Sequence, residues 1–243
     1  MSEIKLIFGN CLEKFKDIAD ESVDLVFADP PYNISQKTKF RRDSRSGKNM
    51  DISLDFGNWD YNFNPEPFLI ESKRVLNKYG SVIVWTSEEL YGIYRSWFAK
   101  NMYPKQLLLW VKDNPVPQFR LVGYRNATEL MFWALKYKNT KDNPNFIFLT
   151  QREMTNVFHA PIVGGHERTK HPTQKPLKIA LEIIRRHCKE GGLVCDPFFG
   201  SGTIAIACKL LNRNFIGFEI DEKYYNIAKE RLEKTEIQNE LNI

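Results

Sequence analysis

The chain has 243 residues, enough for one large α/β domain or two small ones, with 42% hydrophobic and 27% charged residues, an ordinary balance for a soluble globular protein. Its net charge of +5 decides little, no apolar run approaches the ~18 residues of a membrane span, and the opening Met1-Ser2-Glu3-Ile4-Lys5 lacks a secretory pattern, so a cytoplasmic protein is expected. The four cysteines (Cys11, Cys188, Cys195, Cys208) are not in C-x-x-C spacing and the four histidines (His159, His166, His171, His187) form no helical ligand pair, which argues against a disulfide framework and for no metal.

Apolar runs and helical periodicity alternate along the chain. A strand over 5–8 leads through Gly9-Asn10-Cys11 into a helix over 11–18. A second strand, 23–28, ends in Asp29-Pro30-Pro31-Tyr32. Each proline lacks an N–H and fixes φ, so this turn presents carbonyls and one carboxylate beside an aromatic ring. Such a pocket suits a flat group bearing an exocyclic NH2.

The segment that follows, 33–60, is polar and reads as a loop. It carries Lys37, Lys39, Arg41, Arg42, Arg45 and Lys48 against a single Asp43 between residues 36 and 48. Taken alone, such a run is either a solvated loop or a phosphate-contacting arm; its place directly after Asp-Pro-Pro-Tyr favours the arm.

Helices over 65–77 and 88–100 flank a strand at 81–85. Strands at 106–111 and 129–135 have no helix between them and read as an antiparallel pair at one edge. Residues 136–170, rich in Asn, Thr, Arg, Gly and Pro, read as a second long loop. Loops of this length in a compact domain are usually functional or disordered.

Lys170-His171-Pro172-Thr173-Gln174-Lys175-Pro176 then opens a helix over 176–189. A lysine at a helix start opposes the dipole, and a nearby anion such as a ligand carboxylate would compensate. The strand at 193–195 runs into Asp196-Pro197-Phe198-Phe199-Gly200-Ser201-Gly202-Thr203 and a helix over 202–211. Glycines let the backbone approach a ligand closely. The third glycine of the dinucleotide fingerprint is missing, because Ala205 stands there, and no Gly-Lys-Ser/Thr phosphate loop follows. The last strand, 215–219, ends in Glu219, about 20 residues past the glycines, where an acid grips ribose hydroxyls in nucleoside-binding α/β folds. Asp221 is the expected N-cap of the final helix, 221–234.

Together, Asp29-Pro-Pro-Tyr32, His171-Pro-Thr-Gln-Lys-Pro176, the Phe198-x-Gly-x-Gly202 loop and Glu219 resemble the amino-group DNA methyltransferases that use S-adenosylmethionine. Their order, catalytic motif first and cofactor loop last, is similar to the β class. The resemblance covers most of the chain and implies one methyltransferase domain over 1–243. The expected fold is a Rossmann-like, seven-stranded, mostly parallel sheet with an antiparallel edge pair. It is circularly permuted, so that 193–195 and 215–219 take the first two positions of the unpermuted sheet and 5–8 the third.

The resemblance further implies catalysis by Asp29, Pro30, Pro31 and Tyr32. It implies cofactor contacts from Asn10, Cys11, Asp29, His171, Thr173, Lys175, Asp196, Phe198, Gly200, Ser201, Gly202, Thr203, Glu219 and Ile220. Asn10 departs from the acid usual at its position, though an amide still bonds an adenine edge. Thr173 and Lys175 are expected on the cofactor carboxylate. The acceptor is expected to be adenine N6 in double-stranded DNA, with the target base flipped out of the duplex and stacked on Tyr32. Cytosine N4 is the alternative, because it offers the same chemistry. The basic arm is expected to contact phosphates, and 136–170 to read sequence through Arg152, Arg168, His159 or His166, with Gln151 and Asn156 also available. A homodimer is implied, with a cognate restriction endonuclease or second methyltransferase as further partners.

Competing readings are an RNA or protein-amide methyltransferase, which usually carries Asn before Pro-Pro-Tyr and is unpermuted, and a DNA-binding specificity subunit without catalysis. Intact Asp29, Tyr32, Gly200 and Gly202 argue against the latter.

Overall fold

The main sheet holds eight strands in the order β1-β10-β9-β2-β5-β7-β6-β8. In chain order these are β1 (Ile4–Phe8), β2 (Val23–Ala28), β5 (Leu76–Thr86), β6 (Tyr103–Lys112), β7 (Thr128–Leu135), β8 (Val157–Ala160), β9 (Leu193–Asp196) and β10 (Asn214–Glu219). The structure is a computed structural model that describes residues 2–32, 36–42, 50–54, 63–119, 121–138 and 143–236. Strand pairing is parallel throughout β1, β10, β9, β2 and β5, and β7 runs against both of its neighbours. The permuted order expected from the motifs is therefore present, with the late strands β9 and β10 between β1 and β2.

Helices cover both faces. α1 (Cys11–Lys14), α2 (Glu66–Val75) and α3 (Glu88–Asn101) serve one core, in which Phe15, Phe68, Tyr94 and Phe98 are buried. α4 (Leu177–His187), α5 (Thr203–Leu210) and α6 (Glu222–Lys234) serve the other. In α4, Ile179, Ala180, Ile183 and Ile184 repeat at helical spacing and are all buried. Each isoleucine contributes about 1.5–3 kcal/mol by leaving water. Ser87 caps α3 and Asp221 caps α6 by accepting from Leu90 and Tyr224 N–H.

Four expectations need correction. The helix over 11–18 is a single α-turn followed by a 3-10 turn, Phe15–Asp17. The helix from residue 65 stops at Val75, because β5 begins at Leu76, where Leu76 pairs with Val23. The segment 33–60 is not wholly a loop: β3 (Gln36–Arg42) and β4 (Met50–Leu54) form an antiparallel two-stranded ribbon, with Phe40 opposite Ile52. Strand formers such as Thr38, Phe40 and Ile52 supply the propensity that the charge run obscured. Lastly, 136–170 contains β8, which adds an eighth strand parallel to β6. Phe158 and Ala160 of β8 are buried, and the Trp110 indole N–H donates to the Ala160 carbonyl at 2.8 Å. Four residues of alternating burial are too short a signal to read from sequence.

Among the described residues no helix is long and apolar enough to cross a membrane, and no group of His, Cys, Asp or Glu is arranged to hold a metal ion.

Candidate active site

One cavity of about 340 Å³ opens at the carboxyl ends of the parallel strands. It lies where β9 connects to one side of the sheet and β2 to the other, the switch point at which open α/β sheets bind ligands. Its walls come from the turns after β1, β2, β9 and β10, from Phe63, Phe68 and Trp85, and from the His171–Lys175 segment.

At one end stands Asp29, directly after β2. The Tyr32 hydroxyl donates to Asp29 Oδ1 at 2.6 Å. The Lys175 ammonium chelates the same carboxylate, at 2.9 Å from Oδ1 and 2.7 Å from Oδ2. Lys175 Nζ also lies over the Tyr32 and Trp85 rings, 5.3 and 5.1 Å from their centroids, and 3.5 Å from Glu129 Oε2. Burial pushes the Asp29 carboxyl above its ordinary value, while Lys175 and Tyr32 pull it back. Burial works against the Lys175 charge, but Asp29 and Glu129 outweigh it and hold the ammonium above the usual lysine value. Each partner favours the other's charged form, so the contact is an ion pair. The Lys175 ammonium is thus opposed by a side-chain carboxylate of the protein.

At the other end stands Glu219, closing β10. Its Oε2 accepts the Gly200 N–H at 2.9 Å and its Oε1 the Asp221 N–H at 2.8 Å. Burial raises its carboxyl, and the Asp221 and Gly200 N–H bonds oppose the shift. The backbone of Glu219 also accepts from Gly9 N–H at 2.9 Å. That bond ties the turn of Asn10, whose side-chain oxygen caps α1 at Leu12 N–H, to the same strand end.

Between the two ends runs the loop after β9. Asp196 Oδ1 accepts from Phe198 N–H at 3.0 Å, and burial pushes this carboxyl well up. Phe198 packs edge-on against Phe63 and Phe68, with centroids 5.6 and 5.2 Å away. Gly200 (φ 49°) and Gly202 (φ 78°) are left-handed. A Cβ on Gly200 would stand 2.7 Å from the His171 ring, and one on Gly202 would stand 2.8 Å from Ala228 of α6. Both glycines are therefore demanded by conformation and by close approach. His171 lies beneath the loop, 4.3 Å from the Tyr224 ring, and its buried Nδ1 has no partner among the described residues. Burial, then Lys175, Arg168 and Arg231, hold the His171 ring down at about 4.

Most of the expected site residues therefore line one cavity: Asn10, Cys11, Asp29 to Tyr32, His171, Thr173, Lys175, Asp196, Phe198, Gly200, Ser201, Thr203, Glu219 and Ile220. Gly202 stands behind it, against α6.

The expected DNA contacts are scattered. Lys37, Lys39, Arg41 and Arg42 fall on β3, while Arg45 and Lys48 lie outside the described residues. Gln151, Arg152, His159, His166 and Arg168 are exposed, Arg168 donating to the Pro172 carbonyl at 3.0 Å. Asn156 is spoken for by the sheet, because its amide donates to the Leu107 carbonyl at 2.9 Å.

Sequence reasoning missed Phe63, Phe68 and Trp85 on the cavity wall and Glu129 beside Lys175. It also missed Arg231 of α6, which donates to the Ser201 carbonyl at 2.6 Å and to Thr203 Oγ1 at 3.2 Å. An acid opening an otherwise apolar strand was the available signal for Glu129.

The described geometry has close parallels among known proteins. The profile of the family described as DNA methylase (N6/N4) matches residues 23–230. The type II methyltransferase M.HinfI of Haemophilus influenzae is 35% identical over 246 residues, covering 93% of this chain and 67% of its own length. M2.DpnII of Streptococcus pneumoniae is 32% identical over 255 residues, covering 98% of this chain and 91% of its own. The crystal structure of the M1.HpyAVI–SAM complex superposes with a TM-score of 0.72 at 28% identity, over 94% of this chain and all of that one. The cytosine-N4-specific PvuII DNA methyltransferase, at 18% identity and TM-score 0.71, shares the fold. A profile spanning both strand-end acids and the glycine loop, with relatives above 30% identity over nearly the whole chain, places this protein in the N6/N4 DNA methylase family.

Proposed function

We propose that the protein transfers a methyl group from S-adenosylmethionine to adenine N6 in double-stranded DNA. The observation that carries this reading is the Asp29 carboxylate, held by Tyr32 on a rigid Pro-Pro turn within the same cavity as Glu219. An acid at the first motif position is the form that the family resemblance links to adenine.

The cavity fits the cofactor. Three carboxyls, the buried Asp196 and Glu219 and the half-buried Asp29, surround it and favour a ligand that carries positive charge. His171 Nδ1 is a buried polar atom with no partner among the described residues. Glu219 keeps lone pairs for ribose hydroxyls beyond its two backbone bonds. Phe198, with Phe63 and Phe68 behind it, offers an apolar wall, and Gly200, Ser201 and Thr203 line the side of the glycine loop. Thr173 and Lys175 stand between the two ends of the cavity. When bound, S-adenosylmethionine supplies an electrophilic methyl on a sulfonium.

The residues of the chain do the rest by positioning and electrostatics. Adenine N6 is a poor nucleophile because its lone pair is delocalised into the ring. Asp29 accepts one N–H of the amino group and the Pro30 carbonyl accepts the other, which draws the nitrogen towards tetrahedral geometry. Pro31 keeps the turn stiff, and Tyr32 both fixes Asp29 and presents a ring to the base. No covalent enzyme intermediate is required. Flipping the base costs a few kcal/mol. The β3–β4 ribbon with Lys37, Lys39, Arg41 and Arg42, followed by Arg45 and Lys48, contacts phosphates, and Arg152 and Arg168 belong to the recognition surface. A second copy of the chain and a cognate restriction endonuclease are the protein partners of this reading.

The test is methyl transfer from labelled S-adenosylmethionine to unmethylated genomic DNA, with the product nucleosides identified by mass spectrometry. N6-methyladenine is expected. N4-methylcytosine would move the acceptor while keeping the pocket's role, and unlabelled DNA with cofactor bound would overturn the reading in favour of an RNA acceptor, a missing partner subunit or a silent DNA-binding subunit.

A further inference from the structure

We propose that Glu129 is a positioning residue for transfer, the acid that receives the Lys175 ammonium when a target amino group takes its place on Asp29. This rests on the methyltransferase reading of the same cavity.

The Lys175 ammonium does to Asp29 what an exocyclic amino group would do. It is a nitrogen with several N–H donors, and it spends them on both carboxylate oxygens, at 2.9 and 2.7 Å. With the Tyr32 hydroxyl on Oδ1 as well, three of the roughly four acceptor positions of the carboxylate are filled. While the ammonium stays, a base is left one acceptor position, on a carboxylate whose charge Lys175 already neutralises. Its charge also opposes the chemistry, because the acceptor nitrogen becomes positive as the methyl arrives and needs an undiluted carboxylate beside it.

Withdrawal needs a destination. The Lys175 side chain is only 12% exposed, and burying an unpaired ammonium is costly. Glu129 Oε2 is 3.5 Å from Nζ, so a shift of under an ångström makes it a full partner. Glu129 is held ready by Lys112, whose Nζ lies 3.1 Å from its other oxygen. The Trp85 and Tyr32 rings lie about as far from Nζ as cation–π contacts allow and line its slot. The sheet explains the placement. β7 runs against its neighbours, so its first residues lie at the same rim as the last residues of β2, and Glu129 pairs with Trp110 across β6. Lys175 therefore has two acids in reach, one reserved for substrate and one for itself.

The test is a double-mutant cycle with Glu129→Gln and Lys175→Gln, assayed by steady-state transfer to unmethylated genomic DNA. Glu129→Gln alone should lower kcat by roughly 10- to 100-fold while KM for DNA and cofactor stay within about threefold, because the loss is confined to the step after binding. In the Lys175→Gln background the same change should cost almost nothing, since there is no ammonium to relocate. Equal losses in both backgrounds, or a loss that appears in KM or melting temperature with kcat unchanged, would overturn the proposal. An inactive parent protein would instead sink the methyltransferase reading. A second measurement then decides the present point without any transferred methyl: in a crystal structure of Asp29→Asn, Lys175 Nζ should lie within hydrogen-bond distance of Glu129. An ammonium still seated on residue 29 would refute the relocation.

Discussion

Two carboxylates close two strands of the same sheet, and they are held in opposite ways. Glu219, after β10, is clamped by backbone N–H groups of Gly200 and Asp221. Asp29, after β2, is clamped by the side chains of Tyr32 and Lys175. Backbone donors cannot swing away without unfolding the loop that carries them, whereas a lysine or tyrosine moves by changing rotamer. In the proposed reaction the difference suits the two tasks: Glu219 would seat each incoming cofactor in one pose, and Asp29 would give up its Lys175 partner each time a base arrives.

The comparison can be broken most directly at Asp29. Asp29→Ala should reduce turnover by about 10³-fold or more, the scale seen when one preorganised electrostatic group is removed from a transition state. DNA retention should change little, as measured by filter binding; near-normal turnover would remove Asp29 from the chemistry. Glu219→Ala should fail in the opposite manner. It orphans the buried Gly200 N–H, at about 1–3 kcal/mol, and the half-buried Asp221 N–H, so cofactor affinity should fall by roughly 10- to 100-fold. Its melting temperature should drop further than that of Asp29→Ala, whose Lys175 still has Glu129. Equal melting temperatures would mean that the two strand ends are held alike after all.

The smallest effect concerns pH. His171, beneath the Gly200 loop, is held down at about 4, and His187 at about 3, both chiefly by burial. Their unfolded value is about 6.5. A depressed imidazole contributes stability that is complete above pH 6.5 and is lost as pH falls towards the folded value. The expected slope is up to about 1.4 kcal/mol per pH unit for each ring. The raised carboxyls Asp29 and Glu219 act with the opposite sign: their contribution is present at low pH and lost as pH rises through their folded values. Urea denaturation at pH 5 and 7 should show lower stability at pH 5, and His171→Gln should narrow that gap.

How much of this was legible in the sequence depended on whether a residue acts through its neighbours in the chain. Asp29, the glycine loop and Glu219 announce themselves because each is a strand end with a local motif, and the permuted strand order was implied by the family resemblance that these motifs carry. What stayed hidden depends on distant partners. Glu129 reaches Lys175 only because β7 is inserted antiparallel between β5 and β6. Arg231 reaches Ser201 only because α6 folds back over the loop. β8 escaped notice for the same reason: its four residues are a strand by virtue of the β6 edge they join. The basic run misled in a simpler way, since a high charge density masked the β propensity of Thr38, Phe40 and Ile52.

The permuted order also governs when the molecule can become an enzyme during synthesis. Among the described residues β1 pairs in the sheet with β10 alone, the Glu3 carbonyl just before it accepting from Phe215 N–H at 2.9 Å, and β9 is the strand that joins this pair to β2. The first strand thus waits for about two hundred residues to be translated before it has any partner, and contacts so distant in sequence form slowly. Until then the Asp29 half exists as an unfinished sheet with a bare edge, of the kind that recruits chaperones or other chains. A nascent chain therefore carries the Asp29 turn long before the Glu219 end of the cavity exists, and the cavity is complete only once β9 and β10 have entered the sheet.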